Sequence, residues 1–282
     1  MVNEPPDVPP RRRIRPTRRG RLVLIIGAVL LLAGAAAVLV PLLTREPETE
    51  QPRTLVIPEG WRASQVYVAA DKALDEPVGT TEQAVATADL PLPAEAKGNP
   101  EGYLFPATYP ISSGTTAQSL LRYMVDTAVS RFGADHITAG ARSNRVTVYQ
   151  MVTIAGIVQA EADTESDMGK VARVVHNRLD RGMPLQMDST LNYAMNRSTL
   201  DTTTGDTKID SPYNSYERKG LPPTPIGNPG EQAMAAAISP TPGPWLYFVT
   251  VAPGDTRFTD DYAEQQRNVA EFNRRRRDAG NG

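Results

Sequence analysis

The chain contains no cysteine and only two histidines, His136 and His176. Disulfides, thiolate metal sites and a cysteine nucleophile are therefore excluded. Two lone histidines give little basis for a zinc site or a Ser-His-Asp triad; each reads as an ordinary helix or loop residue. The body of the chain also lacks a positive footprint. Residues 1–43 carry seven arginines against Glu4 and Asp7, a net +5, so residues 44–282 hold −7 of the overall −2. An acidic body argues against nucleic-acid binding.

What is present is ordinary globular composition, 40% apolar and 22% charged over 282 residues, enough for one or two domains with a core. One run departs from it. Leu22–Leu43 contains no charged residue. At about 1.5 Å per residue such a run spans a hydrocarbon layer of roughly 30 Å with some tilt. Arginines crowd its amino side, which keeps that side cytoplasmic. Ala33–Ala37 also offers the small residues of a signal-peptide cleavage site, but a cleavable apolar region is usually only about 7–15 residues long. The expectation is a single-pass anchor in the cell (inner or cytoplasmic) membrane over 22–43, a disordered Arg-rich cytoplasmic tail over 1–21, a stalk over 44–53 and an extracytoplasmic body.

In that body, Thr54–Ile57 is β-prone and turns through Pro58-Glu59-Gly60 into a helix over Ala63–Leu74, with Val66, Val68, Ala69 and Leu74 as its apolar positions. This unit is too small to fold alone. Residues 76–100 show little periodicity. Helical spacing recurs over Thr115–Phe132, from Thr147 to about Ala162, over Gly169–Leu179 and over Thr190–Met195, with Asp188 or Ser189 as cap. Thr147 and Gln150 form a capping box. Residues 197–207 form a loop; Glu231–Ile238 is a short helix, Trp245–Val251 a strand and Asp261–Arg274 a closing helix. Helices and strands alternate without βαβ regularity, which predicts an α+β fold.

One carboxylate stands out. Glu161 follows Ile154, Ile157 and Val158 by seven, four and three residues, on the face of a strongly apolar helix. A carboxyl held against apolar neighbours keeps its proton to higher pH, as a general acid must. Periodicity alone equally allows Glu161 to be the last polar residue of an amphipathic helix.

Longer motifs weigh against that plain reading. Ile57-Pro-Glu-Gly-Trp61, Glu101-Gly-Tyr-Leu-Phe-Pro-Ala-Thr-Tyr109, Ala155–Glu161, Val171–Leu179, Pro184–Thr190, Ser211–Tyr216, Gly220–Gly230 and Tyr247-Phe-Val249 occur in order. Together, over about residues 54–273, they resemble the YceG-like (MltG) family of endolytic murein transglycosylases. The resemblance places the family's catalytic glutamate on Glu161. It implies a partial LysM-like subdomain over 54–100 and a catalytic domain over 101–282. This chain departs from the pattern at Gln159, where a second glutamate is common, at Ala107 for aspartate, at Ser189 for proline and at Gln265 for histidine.

In such an enzyme one carboxyl suffices. Glu161 would protonate the oxygen leaving MurNAc C1 and then take the proton of the C6 hydroxyl as that group attacks, leaving a 1,6-anhydro-MurNAc end. No metal or cofactor is implied. Gln186, Asp188, Asn177, Asn214 and Tyr216 lie in matched motifs and are expected to line the glycan cleft. Tyr103, Phe105 and Tyr109 read as core, and Pro222, Pro223 and Pro225 as a rigid loop. The implied partners are nascent peptidoglycan strands, the membrane and the peptidoglycan synthases. Two alternatives remain open at this level. One is a hydrolytic muramidase with Asp188 or Asp163 as base. The other is a catalytically silent, wall-binding scaffold.

Overall fold

The computed structural model describes residues 53–198 and 202–280, together with isolated helical positions between Leu22 and Ala37. The tail, most of the expected anchor and all of the stalk but Arg53 lie outside the described residues; among those described, no helix is long and apolar enough to cross a membrane. The chain divides into a unit of residues 1–51 and a second unit of residues 52–282.

Its elements are β1 (Arg53–Val56), α1 (Ala63–Leu74), α2 (Thr80–Ala84), β2 (Thr108–Ile111), α3 (Ala117–Phe132), α4 (Asp135–Ser143), α5 (Val148–Glu161), α6 (Glu165–Asp180), α7 (Asp188–Ala194), α8 (Glu231–Ile238), β3 (Tyr247–Ala252), β4 (Asp255–Thr259) and α9 (Tyr262–Gly280). This is a mixed helix–strand fold with two small antiparallel sheets, β1–β2 and β3–β4. In the first, Arg53 faces Ile111 and Val56 faces Thr108. The strand–turn–helix at 53–74 thus finds its partner strand beyond residue 101. The strand expected over Trp245–Val251 runs over 247–252 and pairs with β4, which periodicity did not show.

Two apolar clusters make the core. The first gathers Leu55, Val66, Tyr67, Leu104, Tyr109, Leu120, Leu121 and Met124 from β1, α1, the segment before β2, β2 itself and the first half of α3. Val68, expected among the apolar positions of α1, is instead 57% exposed; Ala63, Tyr67 and Ala70 share the buried face with Val66. The second cluster surrounds α5, on which every residue from Met151 to Val158 is buried. A helix that is apolar all round belongs in the interior, so α5 is not the one-faced helix that spacing suggested. It is the central rod of the domain, packed by α6 and α8.

Packing dominates the energetics of this rod. Each fully buried Ile or Val contributes about 2 kcal/mol. The reciprocal cap is worth about 1 kcal/mol and sets where the helix begins: the Thr147 N–H donates to Gln150 Oε1 at 2.9 Å, and the Gln150 N–H to Thr147 Oγ1 at 3.1 Å.

Three motifs meet at the fully buried Asn228. Its Oδ1 accepts from the Leu104 N–H at 2.8 Å, its Nδ2 donates to the Trp61 carbonyl at 2.7 Å, and its own carbonyl takes the Gly60 N–H. The loop over 220–230 thereby ties the turn after β1 and the segment around Leu104 to α5. Tyr103, Phe105 and Tyr109 are all buried, as core residues.

Candidate active site

Glu161 is the last residue of α5, where the buried rod reaches the surface: Ala160 is exposed and Glu161 half-buried. Burial of the carboxyl pushes its pKa above the ordinary range. The Ser189 hydroxyl and N–H pull it back, the charge of Asp188 pushes it further up, and the balance stays raised. The unsatisfied carbonyls at the end of α5 also disfavour a negative charge there. The Ser189 N–H donates to Glu161 Oε1 at 3.1 Å. The Ser189 hydroxyl lies near enough to favour the charged carboxylate, yet it is buried and meets hydrogen-bond geometry with no protein atom.

Two helix starts differ from expectation. The helix predicted from Gly169 begins four residues earlier, because the Thr164 hydroxyl accepts the Asp167 N–H at 3.2 Å and Glu165 and Asp167 suit the first turn. The helix predicted from Thr190 begins at Asp188, with Met187 at the cap position and no side-chain cap. Asp188 and Ser189 are engaged elsewhere: Asp188 Oδ1 accepts the Tyr216 phenol at 2.5 Å, and Ser189 serves Glu161. Burial and the bond to Asp188 raise the Tyr216 pKa, so the phenol keeps its proton.

Glu161, Asp188 and Tyr216 therefore form one cluster. Gln186 stands next to it, exposed, with its backbone in the left-handed region at φ 53°. That conformation is held from both sides. The Gln186 N–H donates to the Ser215 carbonyl at 2.9 Å, and Arg178 Nη1 donates to Gln186 Oε1 at 2.9 Å.

Asn177 and Asn214, expected to line the cleft, both donate to backbone carbonyls. Asn177 Nδ2 donates to the carbonyls of Gly243 and Trp245 at 3.1 and 2.8 Å, which fixes the approach to β3. Asn214 is fully buried; it donates to Thr207 and Ile209 and accepts the Tyr216 N–H at 3.0 Å. Through these bonds both side chains hold the backbone near the site.

Three residues escaped the sequence reading. Arg178 is only 5% exposed; it donates to the carbonyls of Leu246, Pro184 and Leu185 and lies 5.1 Å from the Tyr247 ring centroid. Ser215 Oγ accepts the Met187 N–H at 3.0 Å and pairs with the Thr190 hydroxyl at 2.8 Å. Glu101 is 3% exposed; its carboxyl takes the Ala63 N–H and the Tyr193 phenol, and burial raises its pKa to about 7. Arg178 and Glu101 lie inside quoted motifs, but a charged residue in a motif carries no mark of burial.

Gln159, where a glutamate is common, points elsewhere: its Oε1 accepts the Gly230 N–H at 3.0 Å. An amide oxygen does this as well as a carboxylate. His176 Nε2 lies 2.9 Å from the Ala237 carbonyl, and burial lowers its pKa, which leaves it neutral. Among the described residues, no group of three Asp, Glu or His is gathered closely enough to hold a metal ion. Two surface concavities, of about 350 Å³ beside Glu59 and Gly230 and about 510 Å³ beside Trp61 and Val68, do not include Glu161.

Fold and site together define a mixed helix–strand protein with a carboxyl of raised pKa, Glu161, at the surface end of a buried helix. The chain belongs to the YceG-like family, whose model matches residues 33–271. It is 36% identical over 168 residues to the endolytic murein transglycosylase of Bacillus subtilis, covering 59% of this chain and 46% of that protein. It is 34% identical over 255 residues to the endolytic murein transglycosylase of Streptococcus pneumoniae, covering 81% of this chain and 46% of that protein. The chain thus spans about half the length of these curated relatives. The crystal structure of a yceG-like protein, lmo1499 from Listeria monocytogenes, shares the fold at TM-score 0.66 and 28% identity, covering 78% of this chain and 76% of that one.

Proposed function

We propose that the protein is an endolytic peptidoglycan lytic transglycosylase with Glu161 as its single acid and base. The observation that carries this reading is the Glu161 carboxyl itself: it keeps its proton beyond the ordinary carboxylate range, is oriented by the Ser189 N–H, and stands beside the Asp188–Tyr216 pair. The names of the relatives from B. subtilis and S. pneumoniae support the substrate class.

Protonated Glu161 gives its proton to the glycosidic oxygen leaving C1 of MurNAc. The glutamate formed takes the proton of the C6 hydroxyl, whose oxygen closes on C1. The net change breaks one C–O bond and forms another, returns the proton and consumes no water. The nucleophile belongs to the substrate and is already near C1, so no activated protein nucleophile is required. Asp188, accepting the Tyr216 phenol, adds negative charge near the centre where positive charge develops. Gln186 and Tyr216 are proposed to line the glycan path.

Residues 22–43 are proposed as the anchor in the cell (inner or cytoplasmic) membrane and residues 54–100 as a reduced LysM-like portion. Anchoring would confine cutting to strands near the membrane. Digestion of purified peptidoglycan by the full chain, with mass spectrometry of the products, tests the activity. Anhydro-muramyl ends are expected. Reducing ends would instead mean a hydrolase, and no cleavage a silent binding protein.

A further inference from the structure

Ser189 contributes two polar groups at Glu161, and neither has another protein partner assigned. Its N–H, in the first turn of α7, has no carbonyl of its own helix to meet and donates to Glu161 Oε1 at 3.1 Å. Its hydroxyl is buried beside the same carboxyl without a hydrogen bond. The start of α7 does not depend on Ser189. Ser215 holds Gln186 and Met187, the Thr190 hydroxyl donates to the Met187 carbonyl at 2.8 Å, and Tyr216 holds Asp188. A proline, the residue in this place in the resembling motif, has no N–H to give.

We propose that Ser189 is a positioning residue that fixes the Glu161 carboxyl through this backbone N–H and sets the pH range of its chemistry lower than a site without that donor. The inference rests on Glu161 being the acid. A donor to a carboxylate favours its ionised form, so the acid loses its proton at lower pH, and the alkaline limb of activity falls earlier.

The groups around Glu161 place the effect. From α7, Asp188 acts on it directly, with Tyr216 behind Asp188. On α6, Asp167 pairs with Lys170, Arg173 donates to the carbonyls of Pro240 and Thr241, and Arg178 faces Tyr216 and Tyr247; Glu165 stands in its first turn. On α8, Glu231 is engaged by Arg131, while α4 carries Asp135, His136 and Arg142. The charge that registers at Glu161 is that of Asp188.

The test is the pH dependence of peptidoglycan cleavage by full-length wild type, Ser189→Ala and Ser189→Pro, with Glu161→Gln as control and thermal unfolding as a check on folding. The expected order of the alkaline limb is wild type lowest, Ser189→Ala higher because the hydroxyl is gone, and Ser189→Pro highest because the N–H is gone too. A purely structural role would lower the rate of each variant and leave its limb in place; coincident limbs therefore overturn the proposal. If Ser189→Pro does not fold, the shift of the Ser189 amide proton followed by NMR against pH decides: a step in the wild type that Glu161→Gln lacks supports the bond, and a flat trace in both overturns it. If Glu161→Gln still cleaves, the underlying acid assignment fails. If it is inactive and the limbs coincide, only the role of Ser189 fails.

Discussion

At the scale of the residue, the site places one carboxyl between opposing influences. Burial, the carbonyls ending α5 and the Asp188 charge hold the Glu161 proton on; Ser189 eases it off. A carboxylic acid that starts the reaction protonated loses activity as pH rises through its raised value. Catalysis should therefore persist above the ordinary carboxylate range and fall on the alkaline side, as a pH–rate profile will show. Glu161→Gln should cost about 10²–10⁴-fold in cleavage rate and leave thermal stability at pH 8 equal or higher, since it removes a buried group whose ionisation opposes folding. Arg178 is a different case. It is a buried cation whose hydrogen bonds go to three backbone carbonyls and the amide of Gln186. Arg178→Met should destabilise by on the order of 3 kcal/mol in urea unfolding, by stranding those acceptors. The structure brings together Glu161 and Asp188, both singled out from the sequence. The side-chain amide nitrogens of Asn177 and Asn214 meet backbone carbonyls, a use the sequence did not show because an amide in a motif looks the same whether it meets a sugar or a carbonyl. Arg178 and Glu101 were missed because burial of a charge depends on elements distant in sequence.

At the scale of the element, local signals worked where the chain's own neighbours decide the outcome. The Thr147–Gln150 box starts α5 where the pattern puts it, and Glu231–Ile238 is helical over the span expected. Thr147→Ala should lower stability by about 1 kcal/mol, read by thermal or urea unfolding, with cleavage retained. Long-range pairing was not legible. β2 and β4 are short strands whose identity rests on β1 and β3, and α4 is a nine-residue helix with only Ile137, Gly140 and Ala141 buried. α5 hid its role for a related reason: apolar spacing shows that one face is buried and does not report the others. Gly102 shows the strictness of packing against this rod. Its φ is +84°, and a Cβ there would come within 2.5 Å of the Pro225 ring. Gly102→Ala should therefore cost about 2–3 kcal/mol through strain and overpacking, measurable in the same unfolding assays.

At the scale of the whole molecule, Glu101 joins the two apolar clusters. Its carboxyl accepts from Ala63 at the start of α1 and from Tyr193 on α7, with Arg62 stacked 5.3 Å from the Tyr193 ring centroid. Its pKa of about 7 in the fold, against 4.5 as its ordinary value, means the folded state holds a proton that the unfolded state releases. Stability from this group is thus greatest below about pH 4.5 and is lost as pH rises to about 7, with a ceiling of about 3 kcal/mol. Urea unfolding at pH 5 and pH 8 should show that decline in the wild type and a flatter dependence in Glu101→Gln. The motif order foretold the family and the mixed helix–strand class, because several long patterns in sequence constrain a fold more tightly than any one of them.

In the proposed reaction Glu161 gives a proton and takes one back while the substrate supplies its own nucleophile. Digesting peptidoglycan in water enriched in oxygen-18 tests this most directly. The wild type should release anhydro-muramyl ends carrying no label, and Glu161→Gln should release almost none. Labelled reducing ends from the wild type, or undiminished cleavage by Glu161→Gln, would contradict it.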